Sequence, residues 1–344
     1  MQASDFTKCI GLAVQIDGRC FCKLSFEYIS SFLQRCNVSN NYILTLDSNN
    51  SITISLDWGC NMFSWMCDGN EIMYCPADYP QAAWKITGGG NPLLFPSVGR
   101  TYDCSGSEPV LGRYTIFGDD SYYDMITHGF LYVCTWEAVS ECREDDRVSV
   151  TFRAIITDDL RRNRYPFDVE FQQTYTLFSD RVELRSELVN TSDKPAPAAF
   201  GYHPYFKVSN SVREGISVDL PVQRHLFINE LTQLSGETEP CDGKTDLEKD
   251  IYYDHAYDTL TGTRMTLTDT QAGYKVHVDF DPKFEMLFLY SPDGSSFVCI
   301  EPWTNGMGAY ATLKDSGWEN GENIPVIGPG EHVEYKATFS VETF

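Results

Sequence analysis

Basic residues are scarce in this chain: 26 Lys and Arg stand against 49 Asp and Glu in 344 residues, a formal net charge of -23. Nucleic acid and anionic membrane are therefore poor partners, because holding a polyphosphate takes a concentrated basic surface. One small anion is less firmly excluded, since charges beyond a Debye length of about 8 Å are largely screened and a local arginine cluster can bind a phosphate. A secretory leader is also missing: residues 1–20 carry Asp5, Lys8 and Asp17 around a short apolar run, a pattern of neither a signal peptide nor a transmembrane helix. The 12 cysteines contain no C-x-x-C pair of the kind that builds structural zinc knuckles. Reduced, mostly buried thiols in a cytoplasmic protein are expected, ahead of disulfides or a metal site, and the Asn-x-Ser sequons at Asn37, Asn49 and Asn190 are then chance occurrences.

Sustained helical periodicity is absent as well. The best candidate is residues 26–35, where Tyr28, Ile29, Phe32 and Leu33 have helix-like spacing. There is no fixed-period repeat, no low-complexity tract and no linker after about residue 42. What fills the chain is period-two alternation and short apolar runs punctuated by Gly, Pro, Asn and Asp, with 20 Tyr and 21 Phe suited to pleated surfaces. In 182–189, Val182, Leu184, Ser186 and Leu188 share one face while Glu183, Arg185 and Glu187 share the other, as in a strand with one wet face. The run Lys275-Val276-His277-Val278-Asp279-Phe280 repeats the scheme and puts His277 on the exposed face. Continuous apolar runs at 284–290 and 297–300 fit strands covered on both sides. The expected fold is all-β, one large antiparallel β-sandwich over residues 41–344, with residues 1–40 an N-terminal extension packed on it. The acidic stretch 237–258 reads as a long surface loop, and Arg161-Arg162-Asn163-Arg164 as a solvated turn between strands.

Chemistry concentrates in a few segments. Gly201-Tyr202-His203-Pro204-Tyr205-Phe206 sets one imidazole, of ordinary pKa about 6.5, among aromatics on a backbone that Pro204 keeps extended. Tyr202, Tyr205 and Phe206 offer flat surfaces on which a pyranose can stack. Phe297-Val298-Cys299-Ile300-Glu301-Pro302-Trp303 ends an apolar strand with a carboxylate, and Pro302 is expected to stop the strand there. So buried a carboxylate is costly unless it is paired or works at a cleft, which makes Glu301 the candidate base. The segment Gly89-Gly90-Asn91-Pro92-Leu93-Leu94-Phe95-Pro96-Ser97-Val98-Gly99-Arg100 delivers an arginine fork suited to vicinal hydroxyls or a carboxylate. Its glycines form no dinucleotide fingerprint, because no helix follows them. Thr127-His128-Gly129-Phe130 supplies a second histidine, and Tyr253-Asp254-His255-Ala256-Tyr257 a second carboxylate.

Taken in order, these segments resemble the aldose 1-epimerase (mutarotase) family, in particular its branch of hexose-6-phosphate epimerase-like proteins. The likeness spans about residues 50–340. It also takes in Asp57-Trp58-Gly59-Cys60-Asn61-Met62-Phe63-Ser64-Trp65, Asn70-Glu71-Ile72-Met73-Tyr74, Trp136, Tyr165-Pro166-Phe167 and Asn190. The resemblance implies a galactose mutarotase-like supersandwich of antiparallel strands with the sugar in an open cleft. It implies Glu301 as the base on the anomeric hydroxyl and His203 as the acid on the ring oxygen. Arg100, His128 and Asp254 would hold hydroxyls; Trp303, which follows the proline, reads by itself either as a wall of the cleft or as an ordinary core tryptophan. It implies a small-molecule aldohexose or its phosphate as partner, and no metal or redox cofactor. The acid–base pair favours an enzyme over the alternative, a carbohydrate-binding or sensor protein that keeps only the fold.

Overall fold

Inward and outward side chains alternate without a break along the strand Arg181–Asn190, where Val182, Leu184, Ser186 and Leu188 are buried and their neighbours half-exposed. The same rule, repeated, builds the molecule. This computed structural model describes residues 40–77 and 88–344, with the backbone alone of residues 15–16 and 19–20. The chain divides into two units, Met1–Ser39 and Asn40–Phe344. In the first, the short strands Gln15–Ile16 and Arg19–Cys20 pair antiparallel. The best helical candidate, 26–35, and the packing expected of residues 1–40 lie outside the described residues.

In the second unit, one sheet of nine described strands runs in the order Thr135–Arg143, Val148–Ile155, Val169–Leu177, Arg181–Asn190, His332–Thr343, Tyr274–Phe280, Arg264–Asp269, Ile216–Asp219, Lys244–Asp246. An eight-stranded sheet faces it, in the order Leu234–Pro240, Val222–Ile228, Tyr253–Leu260, Met286–Ser291, Phe297–Trp303, Gly201–Tyr202, Leu93–Leu94, with Tyr205–Lys207 also paired to Phe297–Trp303. Aromatics join the two. Phe200 stacks on Tyr335 at 5.0 Å, Phe206 meets Phe339 edge-on at 5.5 Å, and the Tyr202 hydroxyl lies 2.9 Å from Ser186 Oγ. Each fully buried ring contributes on the order of 2 kcal/mol, so this layer carries much of the stability. A smaller sheet of Asn41–Thr45, Ser51–Ser55, Asn61–Cys67 and Asn70–Glu71 closes with an Asp68-Gly69 hairpin, both residues at positive φ (47° and 75°), the pairing that a tight twisted turn demands. The fold is an all-β antiparallel sandwich. Among the described residues no helix is long and apolar enough to cross a membrane.

Four local expectations change. The acidic stretch 237–258 is strand for much of its length, within the edge strands Leu234–Pro240 and Lys244–Asp246, where outward carboxylates are tolerated, and the interior strand Tyr253–Leu260. The arginine cluster lies on a short helix, Asp158–Asn163, capped by Thr157 and tied by Arg161 to Asp158 (3.1 Å) and Asp168 (2.6 Å). His277 is 9 % exposed rather than open, since strands on both sides cover it and supply Thr266 (3.0 Å) and Glu342 (3.3 Å) as partners. The strand Phe297–Trp303 runs through Pro302 instead of stopping. On one side its ladder skips from Cys299 to Trp303, so a residue without an N–H is tolerated in the gap. The eight described cysteines are free thiols, Cys60, Cys67, Cys134 and Cys299 buried and Cys104 and Cys142 exposed. The Asn190 carboxamide is buried, donating to Lys194 and Ile327 carbonyls at 2.8 Å.

Candidate active site

Register along Phe297–Trp303 sorts its side chains. Val298 and Ile300 enter the core between the sheets, while Cys299, Glu301 and Trp303 point to the other face. Across the ladders, Asp254 sits opposite Tyr290, Tyr290 opposite Cys299, and Cys299 opposite Tyr205, forming one row on that outer face. The next row holds Ala256, Phe288 and Glu301. Leu94, Val98, Leu226, Ala256, Met286, Phe288 and Trp303 make an apolar floor separate from the main core.

His203 lies where the chain passes from Gly201–Tyr202 to Tyr205–Lys207. Its backbone N–H donates to Asn91 Oδ1 (3.2 Å) and Pro92 O (3.3 Å), and its ring stacks on Tyr205 at 4.7 Å and 4°. Nδ1 comes within 3.3 Å of Glu301 Oε1, with side-chain exposures of 6 % and 1 %. That distance is within ion-pair reach, yet the angle makes no hydrogen bond, so Nδ1 is a buried nitrogen without a hydrogen-bond partner. The second carboxylate oxygen of Glu301 accepts from the Trp303 indole at 3.1 Å.

Burial governs the electrostatics. It holds His203 well below the usual imidazole range, with His128 adding repulsion, and pushes Glu301 well above the usual carboxylate range, with Asp254 adding repulsion against the opposing Trp303 bond. Burial thus disfavours the charged form of both members of the pair, the imidazolium of His203 and the carboxylate of Glu301. Cys299, beside Glu301, is likewise held protonated by burial.

His128 stands at the rim, its ring 5.4 Å from that of His203 and 5.8 Å from that of Trp303. It adopts φ 64° and is clamped by Gly99, which accepts from its N–H (2.8 Å) and donates to its Nδ1 (3.1 Å). Nδ1 thus being an acceptor, the ring proton sits on Nε2 as a donor. Burial and the nearby Arg100 push this histidine down to about 4. Gly129 follows at φ 79°, where an added Cβ would stand 1.9 Å from the Phe95 carbonyl oxygen. Only glycine fits that approach. Arg100 is partly buried, its guanidinium forms no ion pair with a described residue, and its charge opposes the burial that raises Asp254.

All six residues singled out in the sequence, His203, Glu301, Arg100, His128, Asp254 and Trp303, are brought to this face. Two readings of the aromatics change. Tyr202 and Phe206 are fully buried on the inner side, so of the three rings only Tyr205 belongs to the site, and it backs His203. Trp303 is 2 % exposed, stacked on Phe288 at 4.1 Å, so it orients Glu301 instead of offering an open wall. Cys299, Asn91 and Tyr290 join the site without having a motif of their own. The step of two from Cys299 to Glu301 to Trp303 was the signal for the first.

A family model described as aldose 1-epimerase matches residues 42–340. The protein Slr1438 from Synechocystis sp. PCC 6803 superposes with a TM-score of 0.75 at 21% identity, over 94% of this chain and 100% of its own. A galactose mutarotase-like protein from Clostridium acetobutylicum gives 0.72 at 16% identity, covering 89% of this chain and 99% of its own. Galactose 1-epimerase from Lactobacillus acidophilus NCFM gives 0.64 at 14%, with the same coverage of 89% and 99%. No curated protein matches.

Proposed function

Because the chain belongs to the aldose 1-epimerase family, we propose that it interconverts the α and β anomers of an aldohexose by acid–base ring opening and reclosure at His203 and Glu301. The observation that carries this reading is the 3.3 Å approach of His203 Nδ1 to Glu301 Oε1 in a buried pair. The anomeric hydroxyl and the ring oxygen are bonded to the same carbon, so the groups serving them must be neighbours. Ring opening moves a proton from the anomeric hydroxyl to Glu301 and another from His203 to the ring oxygen. The pair begins as carboxylate and imidazolium and ends as carboxylic acid and neutral imidazole, with its proton count unchanged. The dry site favours the second form. Arrival of the sugar hydroxyls favours the first, because polar groups then surround the charges that burial disfavours. Rotation about the bond between the first two carbons and reclosure on the other carbonyl face yields the opposite anomer.

The rim residues hold the sugar. His128 donates from Nε2 to a hydroxyl oxygen, Arg100 spans a vicinal pair, and Asp254 accepts. Trp303 is a positioning residue that fixes Glu301. Well-placed acid and base groups contribute roughly 10² to 10⁴ each, which suffices for a reaction that already proceeds in water. The test is anomer exchange by NMR saturation transfer on glucose, galactose and glucose 6-phosphate, with Glu301→Gln as control. Exchange on one of these that disappears in the control supports the epimerase and names the sugar. Sugar binding without exchange in the wild type would overturn it in favour of a carbohydrate-binding role.

A further inference from the structure

The outer face holds a third group that ring opening does not use. Cys299 lies two residues before Glu301 on the same face, and its thiol is buried. The candidate ligand atoms of His203, Cys299 and Glu301 all lie within 4.8 Å of one another. From these atoms the structure assigns to His203, Cys299 and Glu301 a site for a borderline-soft divalent cation of the Zn²⁺ class, built across the acid–base pair.

Three observations bear on it. A tetrahedral Zn²⁺ with bonds of about 2.0–2.2 Å to nitrogen and oxygen sets those atoms roughly 3.3 Å apart. The distance from His203 Nδ1 to Glu301 Oε1 is 3.3 Å. Nδ1 is buried and has no hydrogen-bond partner, so no existing hydrogen bond has to break for it to bind. Two of the three ligands are also held by an outer contact: His203 by its stack on Tyr205, and Glu301 by the Trp303 N–H on Oε2, which leaves Oε1 for the cation. Thiolate, imidazole and carboxylate together suit Zn²⁺ better than Mg²⁺ or Ca²⁺. The thiol and carboxyl protons leave to solvent on binding, and the two negative charges balance the cation. A fourth position stays open for water.

A cation there occupies Nδ1 and Oε1 and so blocks proton transfer. This inhibition rests on the epimerase reading; the binding does not. The experiment uses full-length, chelator-treated protein and Co²⁺ alone as a spectroscopic probe. A thiolate-to-cobalt charge-transfer band is expected in the wild type and in a Cys104→Ser, Cys142→Ser variant, which removes the exposed thiols. Cys299→Ser should lose the band and weaken binding about tenfold or more. A band that survives Cys299→Ser would overturn the assignment. Crystals of the wild type soaked in Zn²⁺ give an independent reading that needs no variant. Anomalous density between the three side chains is the expected result, and its absence there counts against the site. Anomer exchange on the metal-free protein separates the two claims. Exchange without cation binding refutes the cation site alone, and cation binding without exchange refutes the epimerase alone.

Discussion

The eight-stranded sheet carries a pair of histidines and a glutamate on each face. On one, His128 and His203 stand 5.4 Å apart beside Glu301. On the other, His225 and His255 stand 4.8 Å apart, with His225 Nδ1 3.0 Å from Glu239. The inventories match and the environments do not: the Glu301 side chain is 1 % exposed and that of Glu239 is 56 %. Water screens Glu239, leaving a surface pair worth about 0–1 kcal/mol. At His203 and Glu301 burial instead disfavours both the imidazolium and the carboxylate, which draws the two groups' proton affinities toward each other, as acid–base exchange needs. Burial, rather than the residue types, separates the two groups.

The largest expected effect follows directly. Glu301→Gln should cut anomer exchange by about 10² or more while leaving sugar affinity within a few-fold, and Glu239→Gln should change neither. Equal losses in the two variants, read by saturation transfer and calorimetry, would erase the distinction between the faces. Gly129→Ala comes next. The added methyl meets the Phe95 carbonyl at a positive φ, so about 1–3 kcal/mol of stability should be lost in urea unfolding, with His128 displaced. Trp303→Phe removes the N–H that steadies Glu301 and should slow exchange about tenfold. That bond lowers the Glu301 pKa, so its loss raises it, and the alkaline limb of the pH–rate profile, where the pair gives up its last proton, should move to higher pH. The smallest effect belongs to the inner face. Tyr202→Phe gives up a hydrogen bond to Ser186 and should cost about 1 kcal/mol with exchange unchanged.

Much of this was legible in the sequence because strand periodicity is. Alternation at 182–189 identified a half-buried strand, and Glu301 at the end of an apolar run was suspicious on desolvation grounds alone. Period two, carried further, would also have separated His203 and Tyr205 from Tyr202 and Phe206, and would have set Cys299 beside Glu301. Long-range register was not legible. No local pattern announces that Asp254, Tyr290, Cys299 and Tyr205 share a row, since three separate ladders set it. His277 misled for the same reason: its own strand turns it outward, and only the neighbouring strands bury it.

The central claim is that burial disfavours the charged forms of both His203 and Glu301 in the empty site. ¹⁵N NMR of the imidazole rings across pH, with His203 assigned through His203→Asn, tests it directly. The account predicts a neutral His203 ring at pH 7 that stays neutral well below the ordinary imidazole value of about 6.5. A His203 that titrates near that value, or that is imidazolium at neutral pH, would contradict it.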